Sequence, residues 1–172
     1  MARLILIRHA QAEHSNLSGC DFDRALTQKG RKDIRKTAEL LCPFIIEDSI
    51  CLCSSARRAE QTWQHACVNW SLNQVQYEPS LYEADMNGLI SCMIIAQRHS
   101  SNLMLIGHNP GLSLFLCWIL GRKAMHMKTS TAAILDFDSG FNGFHAGSAS
   151  LTAFITPKAD TYSPVLGVGE FV

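Results

Sequence analysis

Three short apolar runs in this chain end in residues able to grip an anion. Leu4 to Ile7 runs into Arg8 and His9, Ser49 to Cys53 runs into Ser54 with Arg57 and Arg58 just beyond, and Leu103 to Ile106 runs into Gly107 and His108. Imidazole and guanidinium groups brought to one point suit a phosphoryl group. A guanidinium fork matches phosphate oxygens two at a time, and a neutral imidazole can accept phosphorus on a ring nitrogen. Gly107-His108-Asn109-Pro110-Gly111 also leads into Leu112 to Leu120, an apolar stretch that reads as a helix with Pro110 in its first turn. The amino end of such a helix would add positive potential to the same spot.

For these residues to meet, the runs must be neighbouring strands. Each is short and apolar, as strands buried on both faces are, and ligands of open α/β sheets bind beyond the carboxyl ends of the strands. Between the runs lie helical patterns. Thr27 can cap a helix over 28–41, with Ile34, Ala38 and Leu41 on one face and Pro43 as its stop. The pattern predicts a helix over Arg57 to Trp70, with Trp63 and Trp70 on its core face, and another over Ala84 to Arg98. Val75 to Tyr77, Ala132 to Phe137 and Leu151 to Ile155 read as strands, and the tail after Pro157 carries no pattern. The alternation implies one α/β domain over residues 1–172, in three layers, with a mostly parallel central sheet and helices on both faces.

Composition narrows the function. With 172 residues, 47% hydrophobic and 17% charged, the chain can bury a core and is too apolar to be disordered. Fifteen basic and fifteen acidic residues cancel, which removes any global electrostatic case for nucleic acid or an anionic membrane as partner. Seven cysteines at irregular spacing form no disulfide framework, and Met1 to Ile7 is too short for a signal peptide. The expectation is a soluble, cytoplasmic protein with mostly buried thiols. Cys51 and Cys53 read as strand packing, no His/Cys spacing suits zinc, and His14, His65, His99, His126 and His145 read as surface residues.

Taken in order, the motifs resemble the histidine phosphatase superfamily. Arg8-His9-Ala10 is similar to its Arg-His-Gly signature, and Asp23 to Thr27 with Gly30 to the segment that follows it. "SSARRAEQT" (54–62) is similar to Ser-Pro-x-x-Arg-Ala-x-Gln-Thr, "LYEAD" (81–85) sits where an acid is often found, and "LIGHNPGL" (105–112) resembles the second-histidine motif. The compact length and the "RAEQT" and "GHNPGL" forms fit best the SixA-type phosphohistidine phosphatases. Ala10 in place of Gly and Ser55 in place of Pro depart from the pattern.

The resemblance implies a phosphoglycerate mutase-like fold and a metal-independent phosphatase without cofactor. It makes His9 the nucleophile and Arg8, Arg58 and His108 the phosphate-binding residues, with Arg57 competing with Arg58. Glu83, Asp85 or neither would be the proton donor, and Thr129 could bring a hydroxyl. His9 should be neutral, its pKa lowered by neighbouring cations, and His108 an imidazolium, which together would give a bell-shaped pH profile. The implied substrate is phosphohistidine on a protein, such as a histidine-phosphotransfer domain of a signalling phosphorelay. A phosphomonoesterase acting on a small phosphorylated metabolite and a catalytically silent phospho-ligand binder are the alternatives; a phosphoglycerate mutase fits less well, because the chain is short.

Overall fold

The computed structural model describes residues 1–15, 17, 19–72, 75–141, 143, 145–158 and 163–164. Seven strands form one sheet in the order β3-β2-β4-β1-β5-β6-β7. They are β1 (Ala2–Arg8), β2 (Ile50–Ser54), β3 (Val75–Glu78), β4 (Asn102–Gly107), β5 (Ala132–Phe137), β6 (Ser150–Ile155) and β7 (Ser163–Pro164). β3, β2, β4 and β1 are mutually parallel, whereas β5 to β7 pair antiparallel. β1, β2, β3, β4 and β6 therefore point one way and β5 and β7 the other. The sheet is mixed, and its parallel part is the part that ends at the reactive residues.

Register does the aligning. Arg8 pairs with Gly107, and Cys53 with Ile106, so β1, β2 and β4 run out at the same level. The residues that follow, His9, Ser54 and His108, leave the sheet side by side. The strands alternate across two cores. Leu4, Leu6, Leu52, Leu103 and Leu105 face one side, where α3 (Met86–Ala96) and α4 (Gly111–Ile119) bring Leu89, Met93, Leu112, Phe115 and Leu116. Ile5, Ile7, Cys51, Cys53, Met104 and Ile106 face the other, covered by Ile34, Ala38 and Leu41 of α1 (Gln28–Leu41) and Trp63 of α2 (Arg57–Ala66). Each fully buried Leu or Ile contributes about 1.5–3 kcal/mol, so both layers are firmly held to the sheet.

α1 spans the expected residues, with the Thr27 side chain accepting from the Gly30 amide at 2.8 Å. α2 is shorter than the pattern predicted. It stops at Ala66, and Cys67–Asn69 forms a 3-10 turn that delivers Trp70 in extended backbone. The turn lets the Trp70 ring meet Trp63 edge-on at 6.1 Å while its indole N–H donates to the Ala38 carbonyl at 3.2 Å. Both tryptophans are core residues, but they do not share a helix face. α3 runs from Met86 to Ala96, inside the expected bounds, because the Asp85 carboxylate caps it by accepting from Gly88 N–H at 2.8 Å. The thiols depart most from expectation: only Cys51 and Cys53 are buried, and Cys20 and Cys42 are exposed. Most of the tail after Pro157 lies outside the described residues.

Two glycines mark places where backbones touch. A Cβ on Gly30 would lie 2.2 Å from the Gln11 carbonyl oxygen, and one on Gly111 would lie 2.1 Å from that of Ala84. The second contact sets the start of α4 against the loop that carries Tyr82 and Glu83. We expect Gly111→Ala to cost about 2 kcal/mol or more in denaturant unfolding, since neither backbone can move without repacking. Gly88→Ala, whose Cβ would meet its nearest atom at 3.4 Å, should be neutral or stabilising by about 0.5 kcal/mol.

Candidate active site

At the ends of β1, β2 and β4 the side chains of His9, Arg58 and His108 come together, 8%, 4% and 5% exposed. Burial at that level means each polar group needs a partner or carries a cost. The two imidazole rings stand 4.9 Å apart between centroids, tilted by 49°. His9 Nδ1 lies 2.8 Å from the Ala10 carbonyl oxygen. A carbonyl only accepts, so Nδ1 carries the proton and Nε2 keeps the lone pair. His108 Nε2 lies 2.8 Å from Ser54 Oγ, and its Nδ1 is buried with no hydrogen-bond partner.

Of the two adjacent arginines, the first position of α2 points outward and the second inward: Arg57 is exposed and Arg58 is buried. Arg58 donates to the Asp21 carbonyl at 2.8 Å and pairs with the Asp21 carboxylate at 2.9 Å. Asp21 also pairs with Arg24 at 2.7 Å and accepts from the Tyr82 hydroxyl at 2.8 Å. Tyr82 closes the group, with its ring edge-on to His108 at 5.7 Å and beneath the Arg58 guanidinium at 5.6 Å. Arg8 is held from the opposite side, donating to the Met127 carbonyl at 2.9 Å; Asn109 donates to the same oxygen at 2.9 Å. That carbonyl ties the ends of β1 and β4 together.

The "RAEQT" motif also serves as scaffolding. Thr62 Oγ1 accepts from the Ala10 amide at 2.9 Å and donates to the Arg58 carbonyl at 2.6 Å. Gln61 Oε1 accepts from the Leu26 amide at 2.7 Å. One turn of helix thus fastens both the loop after His9 and the loop after Arg24. Ala10, fully buried, is accommodated where the signature has glycine.

The field around the rings favours neutrality. Burial pushes His9 down to about 4, against the pull of the Ala10 carbonyl and with the help of Arg58, Arg8 and Arg24. Burial pushes His108 lower still, to about 3, with His9 and Arg58 adding to it and Asp21 opposing. At His108 desolvation and the neighbouring cations outweigh the Asp21 carboxylate, whereas the imidazolium expected there was one facing a bound phosphate. Burial alone would raise Asp21, but the Tyr82 hydroxyl, Arg58 and Arg24 hold its carboxyl below the usual range.

The remaining candidates lie differently. Asp85 is engaged in capping α3. Glu83 is exposed beside Tyr82, in left-handed backbone at φ 52°. Thr129 is half-buried in a turn ahead of β5 and is not on a strand. His14, His99, His126 and His145 are exposed and His65 is half-buried, as expected. Sequence reasoning assigned no role to Ser54, Tyr82, Asp21 or Arg24. Ser54 stood at a strand end, which was a usable signal; the others are joined to the site only through contacts across loops. No group of three or more His, Cys, Asp or Glu that could hold a metal ion is found, and no helix is long and apolar enough to cross a membrane, both among the described residues.

Neutral imidazole with a free lone pair, beside the buried Arg58 and the half-buried Arg8 at the carboxyl ends of parallel strands, can bind a phosphoryl group and accept it covalently. Known proteins agree with that class. The sequence model of the histidine phosphatase superfamily (branch 1) matches residues 4–92. An uncharacterised chloroplastic protein of Arabidopsis thaliana is 32% identical over 93% of this chain and 80% of its own length. A structure put forward as the phosphohistidine phosphatase SixA of Agrobacterium tumefaciens is 28% identical, with a TM-score of 0.77 over 91% of this chain and 98% of that one. A similarly described protein of Nakamurella, at 22% identity, shares the fold with a TM-score of 0.77 over 92% and 97% of the two chains. The chain belongs to the histidine phosphatase superfamily and is a phosphatase.

Because both histidines titrate near 6.5 when unfolded and near 4 and 3 when folded, the unfolded state binds more protons between those values. Stability should therefore be full above about pH 6.5 and fall as pH drops toward 4. Melting temperatures recorded from pH 7.5 to 5 should decline for the native protein, and less for the His9→Asn/His108→Asn double variant.

Proposed function

We propose that this phosphatase removes the phosphoryl group from a phosphohistidine side chain on a protein, with His9 as nucleophile. The observation that carries the reading is the bond from His9 Nδ1–H to the Ala10 carbonyl at 2.8 Å. It fixes the ring so that Nε2 offers its lone pair within the cationic cluster. That lone pair attacks phosphorus and a P–N bond forms to His9. The substrate's own P–N bond breaks, and its imidazole leaves as a neutral ring after taking a proton from solvent. Water then attacks the phosphoryl-His9 intermediate, the new P–N bond breaks, and inorganic phosphate departs. Arg8, Arg58 and the His108 N–H stabilise the charge spread over the three equatorial oxygens in both steps. Loss of the Arg58–Asp21 pairing on substrate arrival frees the guanidinium for phosphate; Asp21 keeps Arg24 and Tyr82 as partners.

The acid side of the site supports phosphohistidine over a phosphomonoester. An alkoxide needs a proton as it leaves, whereas imidazole is protonated before the bond breaks. Asp85 is occupied as a helix cap, Asp21 is paired with Arg58 and Arg24, and Glu83 is exposed with no hydrogen bond or ion pair to either site histidine among the described residues. The likeness to proteins described as SixA points the same way, and suggests a histidine-phosphotransfer domain as partner. A reducing, cytoplasm-like compartment suits seven cysteines, two of them exposed.

Rapid-quench labelling with a phosphohistidine peptide should trap acid-labile phosphate on His9. His9→Ala should abolish the label and lower turnover by about 10⁴-fold or more; a fully active His9→Ala protein would end the assignment. We further expect Glu83→Gln to lower turnover of p-nitrophenyl phosphate or a serine phosphate more than that of phosphohistidine. Equal losses on both would remove Glu83 as proton donor, and a clear preference of the native protein for small monoesters would overturn the substrate.

A further inference from the structure

We propose that Ser54 is a positioning residue that locks His108 in the Nδ1–H tautomer, so that the site offers a phosphoryl oxygen an uncharged N–H. The two site histidines would then share one tautomer and use it in opposite senses. His9 spends its N–H on the Ala10 carbonyl and keeps a lone pair for chemistry. His108 spends its lone pair on Ser54 and keeps an N–H for binding. The identity of the oxygen rests on the function proposed above; the tautomer does not.

The assignment follows from counting hydrogen-bonding groups. Ser54 is fully buried at the end of β2. Among the described residues its hydroxyl oxygen has two partners, the Ala56 amide at 3.3 Å and His108 Nε2 at 2.8 Å. The Ala56 amide can only donate, so it uses a lone pair of the hydroxyl. If the hydroxyl proton goes to Nε2, the serine is satisfied and the one group left over is the Nδ1–H. If instead Nε2–H donated to the serine, two groups would be stranded in a buried place: the hydroxyl proton and the Nδ1 lone pair. Each stranded polar group carries a desolvation cost, so the first arrangement is favoured. Imidazole free in water prefers the Nε2–H form, so Ser54 reverses the intrinsic choice.

The arrangement also suits the ring's charge. Burial and the neighbouring His9 and Arg58 favour a neutral His108, so binding phosphate as a cation would require proton uptake. A fixed N–H needs no proton uptake on binding. Tyr82, edge-on to the ring at 5.7 Å, packs against it.

The decisive measurement is made on the native protein. Long-range proton–nitrogen correlation spectra of the ¹⁵N-labelled protein at pH 7.5 report the tautomer of each histidine ring, with His108 assigned by its absence in His108→Gln. We expect Nδ1 of His108 to be the protonated nitrogen, and Ser54→Ala to move the ring to Nε2–H or a mixture while Ser54→Thr restores it. Activity should follow: kcat/KM on p-nitrophenyl phosphate should fall about tenfold in Ser54→Ala and recover in Ser54→Thr. Asn presents its amide nitrogen near the place of Nδ1 and Gln near that of Nε2, so His108→Asn should stay more active than His108→Gln. A native His108 protonated on Nε2, or a Ser54→Ala protein that keeps the Nδ1–H form, would overturn the proposal. A protein with the expected tautomer but no activity on phosphohistidine would instead sink the function and leave this inference standing.

Discussion

The constraint on which the rest depends is that guanidinium groups be gathered around two neutral imidazoles, largely out of water, without their charge being fully cancelled there. Like charges repel more strongly as water is excluded, so such a cluster must be tethered from outside. Backbone carbonyls do most of that tethering. Met127 takes Arg8, Asp21 takes Arg58, and Ala10 takes His9. A carbonyl carries only a partial charge, so it fixes direction while leaving the cluster hungry for an anion. The Asp21 carboxylate is the exception, and it lies at an exposed edge where an incoming phosphoryl group can compete with it.

The fold answers that constraint through register. Arg8 opposite Gly107 and Cys53 opposite Ile106 bring three chain segments out of the sheet at one level. Helices on the two faces then fix them from behind: α2 reaches the loop after β1 through Thr62, and α4 abuts Ala84 through the bare backbone of Gly111. The antiparallel strands β5 to β7 add no reactive ends, but the segment before β5 supplies the Met127 carbonyl.

Local signals were readable in the sequence. Thr27 and the apolar face of Ile34, Ala38 and Leu41 located α1, and runs ending in Arg8-His9 and Gly107-His108 located the reactive strand ends. Those features are set by neighbours along the chain. What could not be read is set by neighbours in space. Whether Arg57 or Arg58 turns inward depends on where α2 lies against the sheet, a matter the family motif could address and periodicity could not. Trp70 keeps the seven-residue spacing of a helix face, yet the chain leaves the helix first, because its indole N–H finds a carbonyl on α1. The burial that lowers the His108 pKa is likewise set in space, by the ring's position beside His9 and Arg58. Asp21 and Tyr82 had no signature of their own; they matter only because a loop folds over Arg58.

The Thr62 hydroxyl, bonded on one side to the Ala10 amide just after His9 and on the other to the carbonyl of Arg58, has a mechanical consequence. It couples the His9 loop to Arg58, the two groups given attack and oxygen binding in the proposed mechanism, so a tilt or slide of α2 would carry both along. Thermal motion can shift the pair as a unit far more easily than it can change the spacing between them. In the proposed mechanism, that coupling would insulate the in-line geometry of attack from the ordinary breathing of the fold.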